Sequence, residues 1–505
     1  MSEMNQAKEI INCGRIDKDS IPWLSIDESS RYIRESVRNG QRVSAFFGIP
    51  SADGKGMEIY ALLADDAQGR LWISRVSLTN TKFPALTPAC PSLHLFEREL
   101  AEEFGIEPVG HPWLKPVRFP QNPSGNNNQK PPSSIGIQNF YRVEGDEIHE
   151  VAVGPVHAGV IEPGHFRFQC FGEEVFHLEI SLGYQHRGIE RALIGGPDKK
   201  SLHYLETAAG DTTIGHGTAY CQLLETLSST EPPLRGQVIR SIALELERLA
   251  NHIGDMGALS GDTGFLPTAS YCGRIRGDFL NMTAVLCGNR FGRGLNMPGG
   301  VRFDLDDSSL EKLIKMVETG KQEAAEAIEL LWESTSVMGR FEGTGTLSEK
   351  TARQLGLVGP AARACGISRD IRLDHPSGFY RFTHIPISTW KTGDVFARAY
   401  VRWLEIQQSL NFILEQLHNL PSGPVATDCG ELKLNQVAVS LVEGWRGEIC
   451  HVAMTDEKGK ISRYKIVDPS FHNWPGLAYA LRNQQISDFP LCNKSFNLSY
   501  CGFDL

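Results

Sequence analysis

No stretch of this chain approaches the roughly 18–20 consecutive apolar residues that a membrane-spanning helix needs. Any membrane link is therefore expected to run through a partner. Met1 to Ile10 has neither a basic n-region nor an apolar core, so no secretory signal is read there. No two of the eleven cysteines are spaced C-x-x-C, which predicts reduced thiols in a cytosolic setting. Basic residues do not exceed acidic ones: 50 stand against 60, net charge is −10, and no basic stripe is present. That argues against a nucleic-acid partner. The chain also lacks G-x-x-x-x-G-K-[ST], a G-x-G-x-x-G after a strand, H-E-x-x-H and G-x-S-x-G. These absences remove P-loop, Rossmann, zincin and α/β-hydrolase sites from consideration. With 41% hydrophobic and 22% charged residues, the composition is globular and excludes collagen, a disordered chain or a disulfide miniprotein. A chain of 505 residues can bury a core large enough to fold without a metal or disulfide.

What is present divides in two. Gln121 to Ser134 (QNPSGNNNQKPPSS) holds no sizeable apolar side chain and reads as a linker. The expected organisation is an α+β unit over 1–120, a flexible linker over 121–140 and a mainly helical unit over 141–505. In the first unit, Met57, Ile59, Ala61 and Leu63 alternate, Asp65 to Gly69 can turn, and Leu71 and Ile73 resume the alternation. That is a hairpin. Leu93, Phe96, Leu100 and Phe104 stand at helical spacing, with Ser92 as cap and Gly105 as stop. In the second unit, Val151 to Val153 reads as a strand and 166–176 as a hairpin. Val238, Ile242, Leu246, Leu249 and Ile253 form a helical stripe. A second long helix spans Leu310 to Trp332, capped by Asp307 or Ser308, and a third runs through Phe396, Trp403 and Ile413. Three one-sided helices predict a bundle with peripheral β hairpins.

Several strings carry charged or histidine residues without forming a known catalytic signature. Glu97-Arg98-Glu99 reads as a solvated helix face. His157 and His165 sit in Gly/Pro loops and read as exposed. Arg187 and Glu190 flank Gly188, and their plain reading is an ion pair beside a tight turn. Glu245 and Arg248 can pair at i,i+3. His252 reads as capping or packing, and Asp262 as a helix cap.

Together these strings resemble a known family. ERELAEEFGIEPVGHP (97–112) is similar to the 30 kDa subunit of respiratory complex I. From about Val151 the chain resembles the complex I 49 kDa subunit and the related large subunit of membrane-bound [NiFe] hydrogenases. The carrying strings are GYQHRGIE (183–190), LELERLANH (244–252), GDTGF (261–265), GRIRGDFLN (273–281), MPGGV (297–301), LGLVGPAARACG (355–366) and GDVFARAYVR (393–402). The fused arrangement is similar to the formate hydrogenlyase-type, energy-converting group 4 family.

The resemblance implies a set of site residues. Hydrogenases of this family hold nickel and iron on two cysteine pairs, because soft thiolates suit those metals. Aligned through His216, Ala219 and Tyr220, the first pair falls on Ala209 and Thr212; the second falls on Ser499 and Gly502. Cys501 is one position out of register, and Asp468-Pro469-Ser470 mimics the start of the second motif too far upstream. The resemblance therefore implies no Ni-Fe centre and no cofactor bound by this chain. A 4Fe-4S cluster is expected in an adjacent small subunit. The quinone cavity of the family corresponds to His157 or His165, Asp262 and, at its tyrosine position, Gly210. Arg187 and Glu190 match the family's R-G-x-E element, whose Glu is expected to relay protons from a dry cavity with a raised pKa.

The implied role is a large subunit of a membrane-associated, complex I-like oxidoreductase, coupling electron transfer to ion translocation. The alternatives are a quinone-reducing NADH dehydrogenase-type subunit and a non-catalytic scaffold. Implied partners are the iron–sulfur small subunit, a ferredoxin-like subunit, and membrane-anchor and antiporter-like subunits, on the cytoplasmic side of the inner membrane.

Overall fold

The computed structural model describes residues 6–51, 56–120 and 134–505, so the expected linker lies largely outside the described residues. The predicted hairpin is present as strands Met57–Asp65 and Arg70–Leu78, antiparallel from Met57 opposite Leu78 to Asp65 opposite Arg70. Its turn closes because Gln68 N–H donates to the Asp65 carboxylate (3.1 Å) and Gly69 adopts φ 63°. Strands Arg42–Pro50 and Lys8–Ile10 flank this pair. Helix Ile26–Arg38 packs alongside, started by a reciprocal capping box between Ser25 and Glu28.

Helix His94–Phe104 ends at Gly105 (φ 69°) as expected, but Ser92 lies in a short 3₁₀ turn before it and does not cap it. The charged triplet on this helix is not a solvated face. Glu97 is fully buried and accepts from the N–H groups of Leu86 and Thr87 and from the Thr87 hydroxyl. Arg98 donates to the carbonyls of Lys115 and Pro116, and Glu99 pairs with Arg118 and Lys465. A helix face reads as solvated only when no other chain segment covers it; here the 107–118 segment and the second unit do.

The second unit opens with the antiparallel strands Ile148–Val153, His165–Phe171 and Glu174–Ser181. The bundle follows: helices Leu234–Asp262, Leu266–Cys287, Asp307–Trp332 and Val395–His418. Asp306, one residue before the expected cap, accepts from Ser309 N–H and starts the third of these. Beside the bundle lies a sheet of Gln436–Gly444, Gly447–Thr455 and Ile461–Val467, buried along almost its whole length. Helix Thr213–Ser228 packs on it.

The two units are built into each other. Strand Arg15–Asp17 pairs antiparallel with Gln436–Ala438 and becomes the edge of the buried sheet. One hydrophobic core runs from Ile10 and Leu62 through Leu246 and Val437 to Phe503. Among the described residues no helix is long and apolar enough to cross a membrane.

Candidate functional site: the centre at 209–212 and 499–502

Two segments meet in the middle of the second unit. One is 207–213, leading into helix Thr213–Ser228. Glu247 starts that helix by accepting from the N–H groups of Ile214 (2.7 Å) and Gly215 (3.1 Å), two donors that a helix terminus leaves free. The other is the short helix Tyr500–Asp504, capped by the Ser499 hydroxyl, which accepts from Gly502 N–H at 2.9 Å. Arg187 clamps the two together, donating to the carbonyls of Thr207 (2.6 Å), Ala208 (2.9 Å) and Cys501 (3.1 Å). Gly188 takes φ 68°, which turns the Arg187 and Gly188 N–H groups onto the carbonyl of Leu505. Arg187 thus ties the segment that bears Ala209 and Thr212 to the one that bears Ser499 and Gly502.

Their donors do not fit a Ni-Fe group. Ala209 and Gly502 carry no ligand atom. The Thr212 hydroxyl donates to Asp211 (3.2 Å), itself held by Arg446 at 2.5 and 2.7 Å. The Ser499 hydroxyl is committed to its cap. The space beside Gly502 is also filled: a Cβ there would lie 2.8 Å from the Asp468 carboxylate. Asp468 is the residue whose sequence position seemed too distant. It caps helix Pro469–Ala480 and meets His216 Nε2 at 3.1 Å. Burial works to raise the Asp468 pKa, but His216, Arg446 and the Ser470 hydrogen bond outweigh it and hold the carboxyl below its usual range. His216 Nδ1 meets His451 Nε2 at 3.0 Å, and His451 Nδ1 meets the Tyr464 hydroxyl at 2.8 Å. Burial, and His216 beside it, keep the His451 imidazole far below its ordinary pKa.

Arg187 and Glu190 do not pair. Glu190 turns to the strand Ile461–Val467, where it meets Lys465 (3.0 Å), Arg463 (3.7 Å) and the Ile466 N–H (2.9 Å). Burial alone would raise its pKa; Lys465, Arg463 and Arg118 reverse that and hold it at about 2. The expected raised pKa is thus replaced by a lowered one. A cavity of about 430 Å³ opens beside it, walled by Glu99, Glu103, Arg118, Arg187 and Arg463.

The residues aligned with a quinone site are less closely assembled. His157 Nε2 meets the Gly164 carbonyl (2.9 Å) and His165 Nδ1 the Gly154 carbonyl (3.2 Å), so both pin their own loop. His165 is buried and His157 half-buried, which differs from the exposed reading of that loop. Asp262 ends its helix in an exposed position, and its charged neighbour is Lys494. Gly210 backs onto Cys501, and a Cβ at Gly210 would meet nothing within 4 Å. Room therefore remains where the family places its tyrosine. Glu162, which sequence reasoning missed, reaches this spot through Tyr500 N–H (3.3 Å) and the Cys501 thiol. Lys465, Arg446, His451 and Tyr464 were missed as well. Only His216, one helical turn after Thr212, carried a local signal.

Residues 262–440 match the family described as respiratory-chain NADH dehydrogenase, 49 kDa subunit. Residues 25–130 match the corresponding 30 kDa subunit family. Formate hydrogenlyase subunit 5 of Escherichia coli K12 is 29% identical over 94% of this chain and 88% of its own length. An F(420)H(2) dehydrogenase component from Methanosarcina mazei is 31% identical over 63% of this chain and 84% of its own. Among solved structures, a chain of the membrane-bound sulfane sulfur reductase, an archaeal respiratory membrane complex, superposes with a TM-score of 0.67. It is 26% identical, covering 72% of this chain and all of that one.

Proposed function

The chain belongs to the complex I 49 kDa subunit family, in a form fused to a 30 kDa-type unit and akin to group 4 hydrogenase large subunits, and from that premise we propose that it works without nickel. Its relatives are subunits of membrane-associated, complex I-like hydrogenase and dehydrogenase complexes, and it is a subunit of that kind. The observation that carries the nickel-free reading is the Asp468 carboxylate standing where a side chain at 502 would have to go. In this reading the chain conveys redox-driven changes from an iron–sulfur small subunit to membrane-anchor and antiporter-like subunits. It does so from the cytoplasmic face, alongside a ferredoxin-like subunit, and ion translocation is the output. Elemental analysis of the purified native complex tests it. Less than a tenth of a nickel per chain is expected, and about one per chain would refute the reading.

A second reading, quinone binding, is favoured by the open space at Gly210 beside Cys501 and Glu162. A photoreactive quinone analogue should then label 154–165 or 499–502 in the native complex. Labelling confined to other subunits would exclude it.

A further inference from the structure

We propose that the seam between the two units holds a small-molecule site for a flat, ring-bearing carboxylate. A cavity of about 730 Å³ opens there, within the roughly 300–1,000 Å³ that small-molecule sites span. Both units build it. Helix His94–Phe104 and residues 112–117 form one side; strand Glu174–Ser181 and helix Pro469–Ala480 form the other. The cavity reaches Phe503, but Gly210 and Glu162 are not among the residues that wall it, so it is separate from the space considered for quinone.

The walls are rich in rings. Trp113, Tyr141 and His177 pack against one another with centroids 4.8 to 5.9 Å apart. Trp474, Tyr479 and Phe503 line the same space. Such walls favour a flat occupant, because stacked or edge-on rings attract one another beyond the area they bury. Tyr141, Phe176 and Tyr479 keep 38–45% of their surface exposed, apolar area that an occupant would cover. Burial pushes the His177 imidazole down, and with Arg98 and His111 it takes His94 to about 3. Neither imidazole is therefore charged at neutral pH.

The charge in the cavity has one sign. Glu179, the acid in its wall, is held by Lys115 at 2.5 Å and by the Tyr141 N–H at 2.8 Å. Glu102, on the same helix as Arg98, accepts from the N–H groups of Val117, Arg118 and Phe119. Arg98 uses Nε and one Nη2 hydrogen on the carbonyls of Lys115 and Pro116, both at 2.8 Å. Among the described residues no carboxylate lies within 4.0 Å of its guanidinium. Burial lowers its pKa to about 10 against the pull of Glu102 and Glu179, which leaves it protonated at neutral pH. Arg482, 4.0 Å over the Tyr479 ring, has no carboxylate partner among the described residues either. A half-buried cation without a counter-charge is unfavourable, and a carboxylate is the group that matches the fork of hydrogens left on Arg98. A neutral ring would leave that cation as it is.

Calorimetric titration of the full chain with naphthalene-2-carboxylate tests the site, with naphthalene-2-carboxamide and decanoate as comparisons. One carboxylate per chain should bind, at least tenfold more tightly than the carboxamide and more tightly than decanoate. No saturable binding, less than a tenfold preference over the carboxamide, or tighter binding of decanoate would overturn the proposal. Ala478→Phe puts a ring into the cavity and should abolish binding; retained affinity would place the ligand elsewhere and overturn it equally. Arg98→Gln should bring carboxylate and carboxamide to the same affinity, and a surviving preference would remove Arg98 from the site. Should either variant fail to fold, the three-ligand comparison on the wild-type chain still decides. Nickel in the native complex would sink the functional reading and leave these affinities unchanged, so the two failures can be told apart.

Discussion

At position 502 the absence of a side chain decides what the centre can hold. A methyl group there would sit 2.8 Å from the Asp468 carboxylate, closer than packed atoms come. Gly502→Ala should therefore destabilise the chain by about 1–3 kcal/mol through overpacking, read as a lowered urea midpoint with an unchanged slope; a shift within error would mean the carboxylate can move aside. Glu190 makes a second residue-scale case. Its pKa is held at about 2 against an ordinary 4.5, so its contribution is full above pH 4.5 and is lost as pH falls toward 2. That shift corresponds to about 3 kcal/mol. Melting curves of wild type and Glu190→Gln should be far apart near neutral pH and converge in acid. Equal gaps at both ends would remove the ion-pair account. Arg187, Glu190 and the four vacated positions could be read from sequence because each lies in a short contiguous string. Asp468 could not, because nothing local reveals which cap residue will end up beside which turn.

On the element scale, helix Leu234–Asp262 shows what amphipathic periodicity conceals. The apolar stripe from Val238 to Ile253 faces the core as read, and Glu245 does meet Arg248 at i,i+3 (3.0 Å). The opposite side is also covered, by helix Val395–His418 and the hairpin tip at Trp445–Arg446, so the charges are buried with it. Glu245 accepts from Tyr380, Ser409, Arg248 and Arg372. Glu405 accepts from His252 and Arg363, and Arg363 also bonds to Glu443. With Asp370, four carboxylates share three guanidinium groups. One carboxylate is in excess, and the burden falls on Glu443: burial and Asp370 push it up to about 7 despite Arg363 and Arg248.

The two ends of this network should respond oppositely to mutation. Glu245→Gln leaves Arg248 and Arg372 underpaired and should cost about 3–5 kcal/mol. Glu443, with its pKa raised above 4.5, contributes fully in acid and loses that contribution as pH rises through 7. Glu443→Gln should thus gain on wild type as pH rises from 4.5 to about 7 and gain nothing more beyond it, which denaturant midpoints taken below pH 4.5 and above pH 7 will read. A Glu443→Gln penalty that grows with pH would contradict the count. The buried sheet 436–467 escaped sequence reading for the same reason: strands covered on both faces lose the alternation that marks them.

For the molecule as a whole, the question is whether the first unit is an appendage or part of the fold. A linker-like composition over 121–134 suggests two separable units, yet the contacts argue for one. Arg15–Asp17 completes the edge of the sheet that carries His451 and Tyr464, protecting a row of backbone groups that would otherwise template aggregation. Glu99 and Glu103 reach across to Lys465 and Arg463, the same two cations that hold Glu190. Asn12 bonds to the backbone of His375 and of Leu441, and Arg118 to the Phe503 carbonyl next to the centre at 499–502. Removing the first unit would bare the shared core, strip two buried cations of acidic partners, and loosen the turn that Arg187 clamps. A chain of residues 134–505 should therefore be poorly soluble or bind a hydrophobic dye strongly, while the full chain melts cooperatively. Adding residues 1–133 in trans should not restore it fully, because strand Arg15–Asp17 must be threaded onto the sheet as it forms. A soluble 134–505 fragment with a sharp transition near that of the full chain would show instead that the centre at 209–212 and 499–502 is built by the second unit alone.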